Sequence, residues 1–283
     1  MQMEALLSSF VWRYILTAVA KDSTMLSMKN EEKHDGSRMG KSLKIASPAK
    51  VNLHLEIGAQ RTDGFHELRS LFAMIDLQDE LILEALDGEE EECKIEGPFD
   101  VPPERNLIWR AHRAFVNETG FRGNLKIRAE KRIPAQAGLG GGSSNAASTL
   151  KLLQLHSGIE LDREKEREIA AKLGSDVPFF LDGPCAVAEG RGEKLQRIEV
   201  REDLARLSLL LVFPDVKVST GEAYARLDEW YARRSENEIR SSISCEAIEE
   251  RYRCSPPVEW RFYNSFTPVL VRSYPVYTRL FTT

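Results

Sequence analysis

From Val51 to Ile57 the chain alternates, with Val51, Leu53, Leu55 and Ile57 on one face and Asn52, His54 and Glu56 on the other. A period of two with one apolar face predicts a half-buried strand. Extended geometry reaching back to Lys50 sets Lys50 and Asn52 side by side on the polar face. Arg61-Thr62-Asp63-Gly64 predicts a turn, because glycine tolerates the backbone angles that close one. An apolar stretch then runs through Leu71, Phe72, Met74 and Ile75, and Asp79 to Leu86 reads as a further strand. The acidic run Glu89–Glu92 is expected to be a solvated loop. Helical spacing covers Leu107–Val116, and Leu125–Arg128 reads as a short strand. A second helix is expected over Ser144–Leu155, burying Ala146, Leu150 and Leu153, and a highly charged third one over Arg163–Leu173. The unbroken apolar run Leu209–Phe213 predicts a buried strand. Strands and helices mix without a regular βαβ alternation, so the fold class is α+β.

Composition narrows the class of protein. At 283 residues the chain can form one large domain or two modest ones. Its 42% hydrophobic and 29% charged residues are those of a soluble globular protein. A net charge of −5 argues against general affinity for nucleic acid or anionic membrane, so any anionic ligand must be met by a local site. Cys93, Cys185, Cys245 and Cys254 form no CxxC pair, which supports neither structural zinc nor a disulfide framework. Four free thiols fit a reducing, cytoplasmic setting. Ala5 to Ala20 has the apolarity of a secretory segment, and Ala18-Val19-Ala20 imitates a cleavage site. Arg13 interrupts it, however, it is too short to span a bilayer, and no basic region precedes it. Residues 1–40 are therefore expected to be an extension outside the fold, with order beginning near Leu43.

The most informative stretch is Gly138 to Asn145, where four glycines stand within five residues. Glycine loses the most backbone freedom on folding, so such a cluster needs a geometric reason. Backbone N–H groups closing around an anion supply one, and the helix that follows adds unpaired N–H groups and a positive dipole end. Ser143 and Ser144 add hydroxyls. A tight turn or linker is the alternative. The named phosphate loops fit less well: no Lys-Ser/Thr pair follows the last glycine, and Ser143 stands where a dinucleotide fingerprint needs glycine.

Pro134 to Ala147 (PAQAGLGGGSSNAA) resembles the second motif of the GHMP kinase superfamily. Ser47–Leu53 (SPAKVNL), Arg61–Leu68 (RTDGFHEL) with Ser70–Phe72, and Leu173–Phe180 (LGSDVPFF) with Glu189–Glu193 (EGRGE) are similar to its branch acting on cytidine diphosphate-linked methylerythritol. The motifs are collinear from about Lys44 to Pro275. The resemblance implies a two-lobe GHMP kinase fold, with an N-terminal domain over residues 41–180 and a C-terminal domain over 181–283. The superfamily's third glycine-rich motif has no counterpart before Thr283, so the C-terminal lobe is expected to be incomplete. The implied activity is transfer of the ATP γ-phosphate to the C2 hydroxyl of the cytidylated methylerythritol. Another small-molecule kinase of the superfamily, or a catalytically impaired nucleotide-binding remnant, are the alternatives.

By the same resemblance Asp176 is the catalytic base and Lys50 its cationic partner. Asp176 also fits a plain helix N-cap, and a lysine at a strand start is usually solvated. ATP would be held by Pro134, Ala135, Gln136, Ala137, Gly138, Leu139, Gly140, Gly141, Gly142, Ser143 and Ser144, with Asn106 and Lys131 near its adenine and ribose. Asn52 and His66 would bond the substrate, and Phe65, Phe72 and Tyr224 would enclose its cytosine, although Phe72 also fits a core position. Magnesium is expected to arrive with ATP, with Ser144 as a ligand and no dedicated metal cage. His54, His112 and His156 are expected on polar faces without a ligand role.

Overall fold

A computed structural model describes residues 42–88, 92–201, 208–216, 218–234, 244–260 and 262–282. The N-terminal apolar segment Ala5–Ala20 and Glu89–Glu91 of the acidic run lie outside these residues. The chain forms two compact units, cut at 50/51, 73/74 and 183/184. The stretch 51–73, expected within the N-terminal domain, groups with the segment after Pro184. The strands β1 (Leu43–Gln60) and β2 (His66–Ala85) each contribute one half to either unit. The two apolar stretches expected between Leu71 and Leu86 are thus one continuous strand.

The first unit carries the glycine loop. In it β4 (Leu125–Glu130) pairs antiparallel with the second half of β2, from Glu80↔Glu130 to Ala85↔Leu125. It also pairs parallel with β3 (Cys93–Glu96), from Cys93↔Leu125 to Glu96↔Arg128. Leu125, Ile127 and Ala129 are buried while the polar residues between them are not, the alternation of a strand with one covered face. Among the described residues four α-helices belong to the unit: α1 (Leu107–Thr119), α2 (Gly141–Ser157), α3 (Arg163–Leu173) and α4 (Val177–Asp182). Asn106 caps α1 by accepting from Ile108 N–H at 3.0 Å, and Gly120 closes it in the left-handed region. Asp162 caps α3 by accepting from Glu164 and Lys165 N–H, both at 2.9 Å. The helix α2 packs on α1 and α4 and buries Ala146, Leu150 and Leu153, as expected from its spacing.

In the second unit the turn after β1 closes through Arg61 N–H to Phe65 O at 2.6 Å and Gly64 N–H to Arg61 O at 3.0 Å, with Gly64 at φ +82°. The first half of β2 pairs antiparallel with β5 (Cys185–Glu189), which pairs with β6 (Lys194–Arg197). Its helices among the described residues are α5 (Thr220–Tyr231), α6 (Cys245–Cys254), α7 (Thr267–Ser273) and α8 (Pro275–Thr282). Leu71, Val187, Ile248, Tyr252, Trp260 and Phe262 form its main core.

Three expectations are corrected. Leu209–Phe213 forms no strand, and Leu210 and Val212 are 64% and 56% exposed. Apolarity buries a segment only where something covers it, and among the described residues no strand pairs with this run. His54 is buried, with Nδ1 accepting from Tyr263 N–H at 3.0 Å. His112 lies on the covered face of α1 with Ile108, Ala111 and Phe115. All four cysteines are free thiols. No described helix is long and apolar enough to cross a membrane.

Candidate active site

Lys50 ends the part of β1 that lies in the first unit, and its N–H donates to Leu139 O at 2.9 Å, tying the strand to the glycine loop. Its ammonium lies 3.5 Å from Asp176 Oδ2, with the lysine buried and the carboxylate partly exposed. Asp176 is the N-cap residue of α4, with Pro178 in the first turn, yet its side chain makes no capping bond. The carboxylate is turned toward Lys50 instead, so the plain-cap alternative does not describe it.

The loop itself is held at Leu139, which is buried, while Pro134, Ala135, Gln136, Gly138 and Gly142 are exposed. At Gly140, with φ +69°, an added Cβ would stand 2.9 Å from Phe180 Cζ and 3.0 Å from Lys50 Cγ. Backbone conformation and close approach therefore both require glycine there. Gly140 is also the N-cap of α2 and supplies no side-chain acceptor to the first turn. Gln136, at φ +57°, is the one non-glycine residue in the left-handed region among the described residues, a conformation that costs energy. Backbone N–H groups at a helix start, with side chains kept out by glycine, form a cradle suited to phosphate.

Lys131 and Asn106, expected near the nucleotide, are held in different ways. Asn106 is buried and its side-chain oxygen is committed to capping α1. Lys131 Nζ bonds Asp79 Oδ2 and, at 2.9 Å, Asn145 Oδ1. Ser144, expected as a magnesium ligand, is fully buried with its hydroxyl 2.8 Å from Ser47 Oγ. Among the described residues no group of three His, Cys, Asp or Glu could hold a metal ion. Asp79 and Asn145 had no role in the sequence reading. The available signal was an acid opening an otherwise apolar strand segment, Leu81-Ile82-Leu83.

The second unit brings together another part of the expected site. His66, at the start of β2, is buried, with Nε2 2.7 Å from Asp228 Oδ1. Its ring lies 5.0 Å from that of Tyr224, which meets Phe266 edge to face at 5.1 Å. Asp228 stands one turn after Tyr224 on α5, and no sequence motif pointed to it. Phe65 is half exposed, with the Arg191 guanidinium 4.6 Å from its ring centroid. Asn52 Nδ2 donates to Ser70 Oγ at 3.2 Å. Phe72 is 2% exposed, a core position in this structure.

A glycine loop leading into a helix, with a Lys–Asp pair tied to it, defines a small-molecule kinase of the GHMP class, and residues 106–184 match the family of GHMP kinases N terminal domains. The chain is 37% identical over 238 residues to the 4-diphosphocytidyl-2-C-methyl-D-erythritol kinase of Treponema pallidum (strain Nichols), covering 83% of this chain and 80% of that protein. It is also 37% identical over 240 residues to the enzyme of that name from Nitratidesulfovibrio vulgaris (strain DP4), covering 84% and 81%. A crystal structure of 4-(cytidine 5'-diphospho)-2C-methyl-D-erythritol kinase superposes with a TM-score of 0.65 at 33% identity, over 84% of this chain and 81% of that one. The chain belongs to the 4-diphosphocytidyl-2-C-methyl-D-erythritol kinase family.

Proposed function

We propose that this protein transfers the γ-phosphoryl group of ATP to the C2 hydroxyl of 4-diphosphocytidyl-2-C-methyl-D-erythritol, a step of the non-mevalonate isoprenoid pathway in the cytoplasm. The observation that carries the reading is the Lys50–Asp176 pair tied through Lys50 N–H to the glycine loop. Phosphoryl transfer asks a protein chiefly for alignment and charge stabilisation. Loop N–H groups and the α2 start hold the phosphates, and Lys50 offsets charge that builds on the transferring group. Asp176 accepts the C2 hydroxyl proton as the substrate oxygen bonds to the γ-phosphorus and ADP departs. Magnesium bound with the nucleotide supplies further charge neutralisation. His66, Phe65 and Tyr224 form the cytidine-binding group, with Asn52 as a further polar contact. Asn106 and Lys131 border the nucleotide.

The test is a coupled ADP-release assay with 4-diphosphocytidyl-2-C-methyl-D-erythritol, mevalonate and homoserine offered separately. Turnover with the cytidylated substrate alone is expected. Equal or faster turnover with either of the others would overturn the substrate assignment.

A further inference from the structure

Asp79 has 0% exposure in a strand whose next buried residues are Leu81, Ile82 and Leu83. An ionised carboxylate out of water persists only where donors and a counter-charge satisfy it. Here each oxygen takes two donors. Oδ1 accepts from Arg132 N–H at 2.8 Å and Ile133 N–H at 2.9 Å. Oδ2 accepts from Lys131 Nζ and, at 2.9 Å, from Asn145 Nδ2. The same Asn145 amide donates to Ser47 Oγ at 2.8 Å, and Ser47 Oγ lies 2.8 Å from Ser144 Oγ. The donors fall on both sides of the glycine loop: Lys131 to Ile133 stand immediately before it, and Asn145 stands in α2 just after it. One carboxylate thereby clamps both ends of a segment whose own glycines would otherwise leave it many conformations.

We propose that Asp79 is a positioning residue for ATP binding, presetting the loop N–H groups and the Lys131 ammonium before the nucleotide arrives. The proposal rests on the reading of the loop as the ATP site. Ordering a loop costs binding free energy, and a scaffold that has already ordered it removes that cost. Loss of the clamp should therefore fall on ATP affinity, and much less on the second substrate.

The experiment compares the parent with Asp79→Asn, Asp79→Glu, Lys131→Met, the double variant Asp79→Asn/Lys131→Met and, as a control on the loop, Gly140→Ala. The readouts are KM for ATP, KM for 4-diphosphocytidyl-2-C-methyl-D-erythritol, and kcat. Asp79→Asn keeps the shape but loses the charge, and should raise KM for ATP by about tenfold or more, the scale of a charged hydrogen-bond network. KM for the cytidylated substrate should stay within about twofold. Asp79→Glu should recover part of the loss. In the Lys131→Met background Asp79→Asn should cost clearly less than in the parent, because the charge it serves is already gone. Unchanged KM for ATP in Asp79→Asn, an equal rise in both KM values, or full additivity in the double variant would overturn the proposal. If Gly140→Ala also leaves KM for ATP unchanged, the reading of the loop fails; if only Asp79→Asn is silent, the clamp alone fails. Should Asp79→Asn not fold, Asn145→Ala carries the test. It cuts the link to α2 and leaves the two backbone donors, and a silent KM for ATP there would equally overturn the clamp.

Discussion

Asp176 and Lys50 are separated by 126 positions in the chain and by 3.5 Å in the first unit. The carboxylate spends no bond on its own helix, so its lone pairs face the cation beside it. Replacing Asp176 by Asn keeps the shape and removes the proposed base, and kcat should fall by about two to four orders of magnitude while ATP still binds. Steady-state turnover beside a nucleotide titration checks this, and turnover within about twofold of the parent would remove Asp176 from the chemistry. The second unit has its own test. His66 is fixed by Asp228 and lies against Tyr224, so His66→Ala should weaken the cytidylated substrate far more than ATP. Equal losses for both ligands, read from paired KM values, would make His66 a structural residue. Asp228 should share the phenotype in milder form, because it reaches the ligand through the imidazole.

At the scale of elements, the glycine loop and the helix caps make opposite predictions. Gly140→Ala places a methyl against Phe180 and the Lys50 stem at a positive φ, so it should cost both stability, by about 1–3 kcal/mol, and ATP affinity. Asp162→Ala removes two capping bonds at the start of α3 and should cost about 1 kcal/mol with kinetics unchanged. Thermal melts and KM for ATP separate the two, and an Asp162→Ala enzyme with altered KM would contradict the division of roles. The contrast also shows why some elements were legible in the sequence. The charged helix over Arg163–Leu173 matches its expected bounds, since Asp162 signals the start and Gly174 the end. The Lys50, Asp176 and glycine-loop residues stood out because motifs carry them. Asp79 and Asp228 did not, because their roles come from pairings across long stretches of chain that no local pattern encodes. The Leu209–Phe213 run misled for a related reason: a period can say that a segment is apolar, not what covers it.

For the molecule as a whole, a titration at mildly acidic pH belongs to His112. It stands at the fourth position after Ile108, within the apolar stripe of α1, and is 5% exposed. Burial, with a smaller effect from the adjacent Arg113 charge, pushes its pKa down to about 4. Its Nδ1 is buried and has no hydrogen-bond partner among the described residues, so a proton placed there would be a buried donor without an acceptor. In the unfolded chain the ring titrates near the ordinary value of about 6.5. Between about 6.5 and about 4 the unfolded state therefore holds a proton that the folded state refuses, and stability must rise with pH across that window. His156, lowered by burial as well, acts in the same direction. Glu168, held at about 2 by Lys172 and Lys165, contributes stability when ionised that is lost as pH falls from the ordinary value of 4.5 toward about 2, so it leaves the span from pH 7 to pH 5 to the histidines. Urea unfolding from pH 7 down to pH 5 should show stability falling by about 1–2 kcal/mol. His112→Leu fills the same stripe with an apolar group and should flatten most of that slope. Its own stability at pH 7 should stay close to the parent's, since no hydrogen bond at Nδ1 is lost. Slopes that coincide for parent and variant would show that the pH response arises elsewhere, and that the ring at position 112 finds a proton acceptor on folding.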